Sequence, residues 1–184
     1  MRMNKGSWYL LLIAATASAQ GFDANRFEPL TNGRDLAGWT QRNGRATYRV
    51  EDGTIVGRTV LDSPNSFLCT DEHFGDFRLS LQFKIDPKLN SGVQIRSHSL
   101  PEYQRGRVHG YQVEIDPSDR AFTAGLYDEA RRGWLFDLAK NEAARAAFRQ
   151  GEWNRLDIEA IGKRFRTWLN GVAAVDGEDA MTQA

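Results

Sequence analysis

Read as an extended strand, Gly110 to Asp116 sets Gln112, Glu114 and Asp116 on one side and Val113 and Ile115 on the other. A second stretch, Val93 to His98, repeats the arrangement with Gln94, Arg96 and His98 opposite Val93 and Ile95. These polar side chains are planar, forked or titratable, which suits them to fixing hydroxyls and carbonyls rather than merely meeting water. If the two strands are neighbours, six such groups share one surface. The flanks Asn90-Ser91-Gly92 and His109-Gly110 allow close backbone approach, and Tyr103, Tyr111, Tyr127 and Trp134 add aromatic faces of the kind that stack on sugars. The plainer alternative is the polar face that any sandwich strand shows to water.

Other chemistries fit less well. "EIDPSD" partly matches the E-x-D-x-x-E strand of laminarinase-type glycosidases, but Pro117 breaks the strand and Asp119 stands at the last position. Glu114, Asp116, Asp119 or the three histidines could meet a divalent metal ion, yet His73, His98 and His109 have no metal-ligand spacing on one element. No metal site and no cofactor is therefore assigned. A nucleophile elbow, a phosphate loop and paired cysteines are all missing.

The elements that must position these residues are mostly strands. Phe77, Leu79, Leu81, Phe83 and Ile85 alternate with Arg78, Ser80, Gln82 and Lys84, and Asn154 to Ile161 alternates in the same way before Gly162-Lys163 turns it into Phe165 to Leu169. Asp52-Gly53 and Asn170-Gly171 are hairpin signals, because both residue types accept the positive φ of a type I′ turn. One helix is expected, Leu138 to Arg149, with Asp137 as its cap and an alanine-rich interior. Antiparallel strands with one inserted helix predict an all-β, two-sheet antiparallel jelly-roll sandwich.

Arg2 and Lys5 precede an apolar run from Trp8 to Ala15, and Ala17-Ser18-Ala19 supplies small residues for cleavage. Residues 1–19 therefore read as a secretory signal peptide, with cleavage near Ala19 and a periplasmic or secreted destination. The run is far short of the roughly 20 apolar residues that span a bilayer, so no membrane span is expected. The remaining residues, 20–184, suffice for one domain. Twenty-four basic residues balance twenty-four acidic ones without long blocks, which argues against a nucleic-acid partner. Cys69 stands alone, so no intramolecular disulfide forms.

The stretches "FEPLTNGRDLAGW" (27–39), "VEDGTIVG" (50–57), "FGDFRLSLQFKI" (74–85), "NSGVQIRS" (90–97), "GYQVEID" (110–116), "GLYDEARRGWL" (125–135) and "GEWNRLDIEAIGKRFRTWLNG" (151–171) together resemble the secreted 3-keto-disaccharide hydrolase domain family, also described as 3-keto-glycoside 1,2-lyase/3-keto-2-hydroxyglucal hydratase. The resemblance implies a concanavalin A-like jelly roll. It also implies an enzyme that abstracts the C2 proton of a 3-keto-glycoside, eliminates the C1 oxygen and rehydrates the product, giving net glycosidic hydrolysis of a small saccharide. In that chemistry Glu114 or His98 is the base and Arg96 holds the C3 enolate, while Gln94, Gln112 and Asp116 position hydroxyls. Tyr127, Asp128, Arg132 and Trp134 close the rim. Two alternatives stay open: Arg96 and Glu114 simply pair across strands, or the face belongs to a non-catalytic carbohydrate-binding module. The family continues past Asn170-Gly171 with strands resembling G-x-I-x-L-Q-x-H and N-I-x-I, and the domain is expected to lack these.

Overall fold

The computed structural model describes residues 9–13 and 27–179. Among them are thirteen strands: β1 (Tyr9–Ile13), β2 (Trp39–Arg42), β3 (Thr47–Glu51), β4 (Thr54–Arg58), β5 (Phe67–Thr70), β6 (Phe77–Ile85), β7 (Ser91–His98), β8 (His109–Ile115), β9 (Leu126–Glu129), β10 (Gly133–Phe136), β11 (Asn154–Ile161), β12 (Arg164–Leu169) and β13 (Val172–Glu178). Among the described residues a single short helix, α1 (Glu142–Ala146), lies between β10 and β11. The large antiparallel sheet runs β13-β12-β11-β6-β1-β4-β3, the small one β10-β9-β8-β7, and β2 and β5 form a separate ribbon. The expected two-sheet sandwich is what the chain forms.

Alternation explains the layering. Leu81, Phe83 and Ile85 of β6 and Leu156, Ile158 and Ala160 of β11 pack inward against Ile95 of β7 and Tyr111, Val113 and Ile115 of β8. Tyr111 meets Phe165 of β12 across the core with ring centres 4.6 Å apart. Each fully buried aliphatic or Phe side chain contributes about 1.5–3 kcal/mol, so this interface dominates stability. Thr167 adds one polar tie, donating from Oγ1 to the Ala124 carbonyl at 2.7 Å and accepting from the Val175 amide at 3.1 Å. Both hairpin turns have the expected backbone, with φ of 49° and 76° at Asp52 and Gly53 and 50° and 84° at Asn170 and Gly171.

The helix is shorter than the alanine-rich sequence implies. Asn141, not Asp137, is its cap, accepting from the Ala144 amide. The Asn141 amide group also donates to the carbonyls of Ala173 and Ala174, and Leu138 is buried beside Val175. These contacts bind residues 137–141 to β13 as a turn, and side-chain bonds from Asn154 and Asn170 to Arg149 and Ala147 hold the other end. Tertiary hydrogen bonds thus outweigh the few tenths of a kcal/mol per residue by which alanine favours helix.

Of the expected leader, only Tyr9–Ile13 lies within the described residues. Its backbone is β1, antiparallel to both neighbours, with Leu12 opposite Ile55 of β4 and Phe83 of β6. The expected cleavage position at Ala19 lies outside the described residues. No helix among the described residues is long and apolar enough to cross a membrane.

Candidate active site

The small sheet turns its inner face to the core, which leaves its outer face free to build a site. Strand β8 is central, between β7 and β9, and is buried along its whole length. Gln94 lies directly opposite Gln112, Gly92 opposite Glu114, and Tyr127 opposite Gln112 from the other side. Directly paired residues share a face, so Gln94, Gln112, Glu114 and Tyr127 project together; Gln112, Glu114 and Tyr127 line one cleft wall with Asp116 and Trp134, and Gln94 stands behind Gln112 outside the lining. The opposite wall comes from Tyr48, Arg58 and the 59–67 segment, and the cleft encloses about 950 Å³. That is the size range of small-molecule sites.

Glu114 is the hub. Asn90 donates to Oε1 at 2.6 Å and Gln112 to Oε2 at 2.8 Å, while Gln112 accepts from Gln94 at 2.7 Å and Gln94 from Ser97 at 2.6 Å. This chain of donors fixes the carboxylate's orientation and runs in one direction toward it. Burial pushes the Glu114 carboxyl above its ordinary value, and the bonds from Asn90 and Gln112 offset only part of that. At Asp116 burial also acts upward, but bonds from Ser118 and Arg120 outweigh it and hold the group low. Two carboxyl groups two residues apart at the end of β8 are therefore driven in opposite directions, Glu114 above its ordinary value and Asp116 below.

Gly92 is required for this arrangement. A Cβ there would lie 2.5 Å from the side chain of Gln112. Gly92→Ala is expected to displace Gln112, cost about 1–3 kcal/mol and break the donor chain to Glu114; a crystal structure of the variant with the Gln112–Glu114 bond intact would contradict this.

Four residues expected on the site face lie elsewhere. Beyond Ile95 the β7–β8 register shifts, with Arg96 at φ 47° and Gly110 at φ 135°. This bulge turns Arg96 to the far side, where its guanidinium donates to the Gly75, Ala160 and Gly162 carbonyls and to Asp76, above the Phe165 ring. It clamps the start of β6 to the β11–β12 turn and does not pair with Glu114. Ser97 takes the vacated place, against Gly110 and Gln94. The shift also sets His98 opposite His109, the residue two positions before core-facing Tyr111, with the two imidazole centres 6.4 Å apart. Asp128 pairs with Tyr111 and so points into the core, fully buried, bound by Arg131 at 2.7 Å and by Arg132. Arg132 completes that network through Asp179 at 2.7 Å.

Apart from the alternation that reaches Glu129, nothing in the sequence pattern marks Arg120, Glu129, Asn90 and Ser97 as residues of this site. Glu129 lines the cleft and accepts from Arg107 at 2.9 Å. Strict alternation from Tyr127 would have found it in place of Asp128, because adjacent strand residues cannot share a face. Arg120 sits in a loop, where no periodicity applies. Among the described residues no three His, Cys, Asp or Glu side chains converge as a metal site.

The model of the family described as the 3-keto-alpha-glucoside-1,2-lyase-like domain matches residues 26–184. A crystal structure from Parabacteroides distasonis ATCC 8503, described as a "putative glycosyl hydrolase", is similar with a TM-score of 0.59 and 20% identity, covering 84% of this chain and 72% of that one. At that identity the likeness shows the fold. No curated protein matches the chain.

Proposed function

Starting from a chain that belongs to the 3-keto-alpha-glucoside-1,2-lyase-like family, we propose that it acts on 3-keto-glycosides, with Glu114 as the base that removes the C2 proton. The observation that carries this reading is a buried carboxylate, oriented by two amide donors and raised in affinity for a proton, in the wall of a ligand-sized cleft. A ketone at C3 makes the C2 hydrogen acidic. Glu114 takes that proton, the electron pair forms the C2–C3 enolate, and collapse of the enolate restores the ketone as the C1–oxygen bond breaks. The leaving oxygen acquires a proton and the C1=C2 enone remains. Addition of water at C1, with a proton returned to C2, gives net hydrolysis. Tyr127 and Trp134, with ring centres 5.2 Å apart and edge to face, offer an aromatic wall for the sugar.

Ultraviolet absorbance tests this directly. Mixing the protein with a 3-keto-glucoside should produce an enone signal followed by free sugar; a folded protein that yields neither refutes the reading. The aromatic wall favours a second reading, a binding module of the same fold, in which saccharide binds and no bond breaks.

The pH dependence has a defined sign. The base form of Glu114 is lost as pH falls through a value above its ordinary 4.5, so kcat/KM should decline at a higher pH than an ordinary glutamate would give. The same raised value means that burial of ionised Glu114 costs stability above that window and is relieved below it. Asp116 contributes the opposite sign, its stabilisation being present above its ordinary value and lost as pH falls through its depressed one. A kcat/KM profile flat down to pH 4.5 would contradict the assignment of Glu114 as base.

A further inference from the structure

We infer that Arg120 is the residue that recognises the keto sugar, gripping the C2 hydroxyl and the C3 ketone oxygen with its two terminal nitrogens. The inference rests on the reading of the cleft as a 3-keto-glycoside site, and it supplies the cation that Arg96, turned to the other side of the sheet, does not. Arg120 lines the same cleft as Glu114. Its Nε donates to Asp116 at 2.7 Å, and its guanidinium carbon lies 5.5 Å from the centre of the Phe122 ring and 5.1 Å from that of Trp134. The side chain is nevertheless 46% exposed. Its two terminal nitrogens have no hydrogen-bond partner among the described residues, so an oriented fork faces the cleft with its donors unspent.

The geometry selects a ligand type. A guanidinium fork matches two acceptor oxygens side by side, and immobilisation by Asp116 and two rings removes the entropy cost of ordering it at the moment of binding. Asp116 balances the charge, so the fork suits neutral adjacent oxygens better than a free carboxylate. In a 3-keto-glycoside those are the C2 hydroxyl and the C3 carbonyl. As the C2 proton leaves, negative charge gathers on the C3 oxygen, and the fork binds the enolate more tightly than the ketone. Arg120 is thus a substrate-contacting residue that discriminates the oxidised sugar from its unoxidised parent.

The test compares methyl 3-keto-glucoside with methyl glucoside on wild type, Arg120→Lys, Arg120→Met and Arg120→Ala. Wild type should bind the keto sugar in preference. Arg120→Met, which keeps an apolar stem against Phe122 and Trp134, should lose about 10²-fold in kcat/KM and lose the preference, its affinity for the keto sugar falling much further than its affinity for methyl glucoside. Arg120→Lys should recover only part of the loss, and added guanidinium should restore activity to Arg120→Ala. The inference is overturned if Arg120→Met and Arg120→Ala both keep the preference, or if both sugars weaken equally and guanidinium rescues nothing. Wild type that neither binds nor converts the keto sugar would instead overturn the reading of the site itself.

Discussion

Glu114→Gln should cut turnover by about 10²–10⁴-fold while leaving saccharide affinity near the wild-type level. The amide keeps the size and an acceptor oxygen, so one of the two donors, Asn90 or Gln112, remains satisfied. The other meets an amide N–H in place of an oxygen. Exposed Asn90 can rotate toward water, and Gln112 retains its bond from Gln94. What is lost is the capacity to take a proton, and general bases commonly contribute 10²–10⁴-fold. A fall of about that size in kcat, with the dissociation constant for an unreactive glucoside unchanged, identifies the base. A variant with full activity would remove Glu114 from the chemistry, and a wild type that binds the keto sugar without converting it would favour the binding module.

Asp128→Ala should be among the most destabilising single changes in the domain. Asp128 is fully buried and accepts from both Arg131 and Arg132, and Arg131 is itself only 12% exposed. The network extends further, because Arg132 and the Tyr111 hydroxyl both bond Asp179, at 2.7 Å and 2.5 Å. Burial, with Asp179 beside it, pushes the Tyr111 phenol up to about 12, so it remains a donor throughout the ordinary pH range. Deleting the carboxylate leaves a buried guanidinium without its partner, a change that costs about 3–5 kcal/mol. Chemical denaturation measures this directly. Because Asp128 faces the core, saccharide affinity of the folded fraction should remain near wild type; a large loss of affinity with stability intact would place Asp128 at the rim of the cleft after all.

The strand pattern illustrates what local sequence carries. Phe77–Ile85 and Asn154–Ile161 form with the expected limits, and the two hairpin turns fall at Asp52-Gly53 and Asn170-Gly171. In each case the information is local: alternation fixes which side is apolar, and positive φ fixes the turn. The row Gln112, Glu114 and Asp116 follows from the same rule, as does Gln94 opposite Gln112 once the strands pair.

What the sequence by itself determined, then, was the class of the fold, the polar face of β8 and the likeness to a family of carbohydrate-active domains, since periodicity and motif order are properties of neighbouring residues. Tertiary structure decided which polar residues reach that face. The bulge after Ile95 reverses Arg96, and nothing in "QIRSH" announces it, because it arises from the fit between β7 and Gly110 on the adjoining strand. Asp128 is the exception, since alternation from Tyr127 already turns it to the inner face; there its buried carboxylate draws in Arg131 and Arg132, three and four residues on, and Asp179 holds Arg132 in that network and away from the cleft. Arg120 enters the cleft for a related reason: Asp116 and two aromatic rings hold it there, and those partners meet only when the loop closes over the sheet.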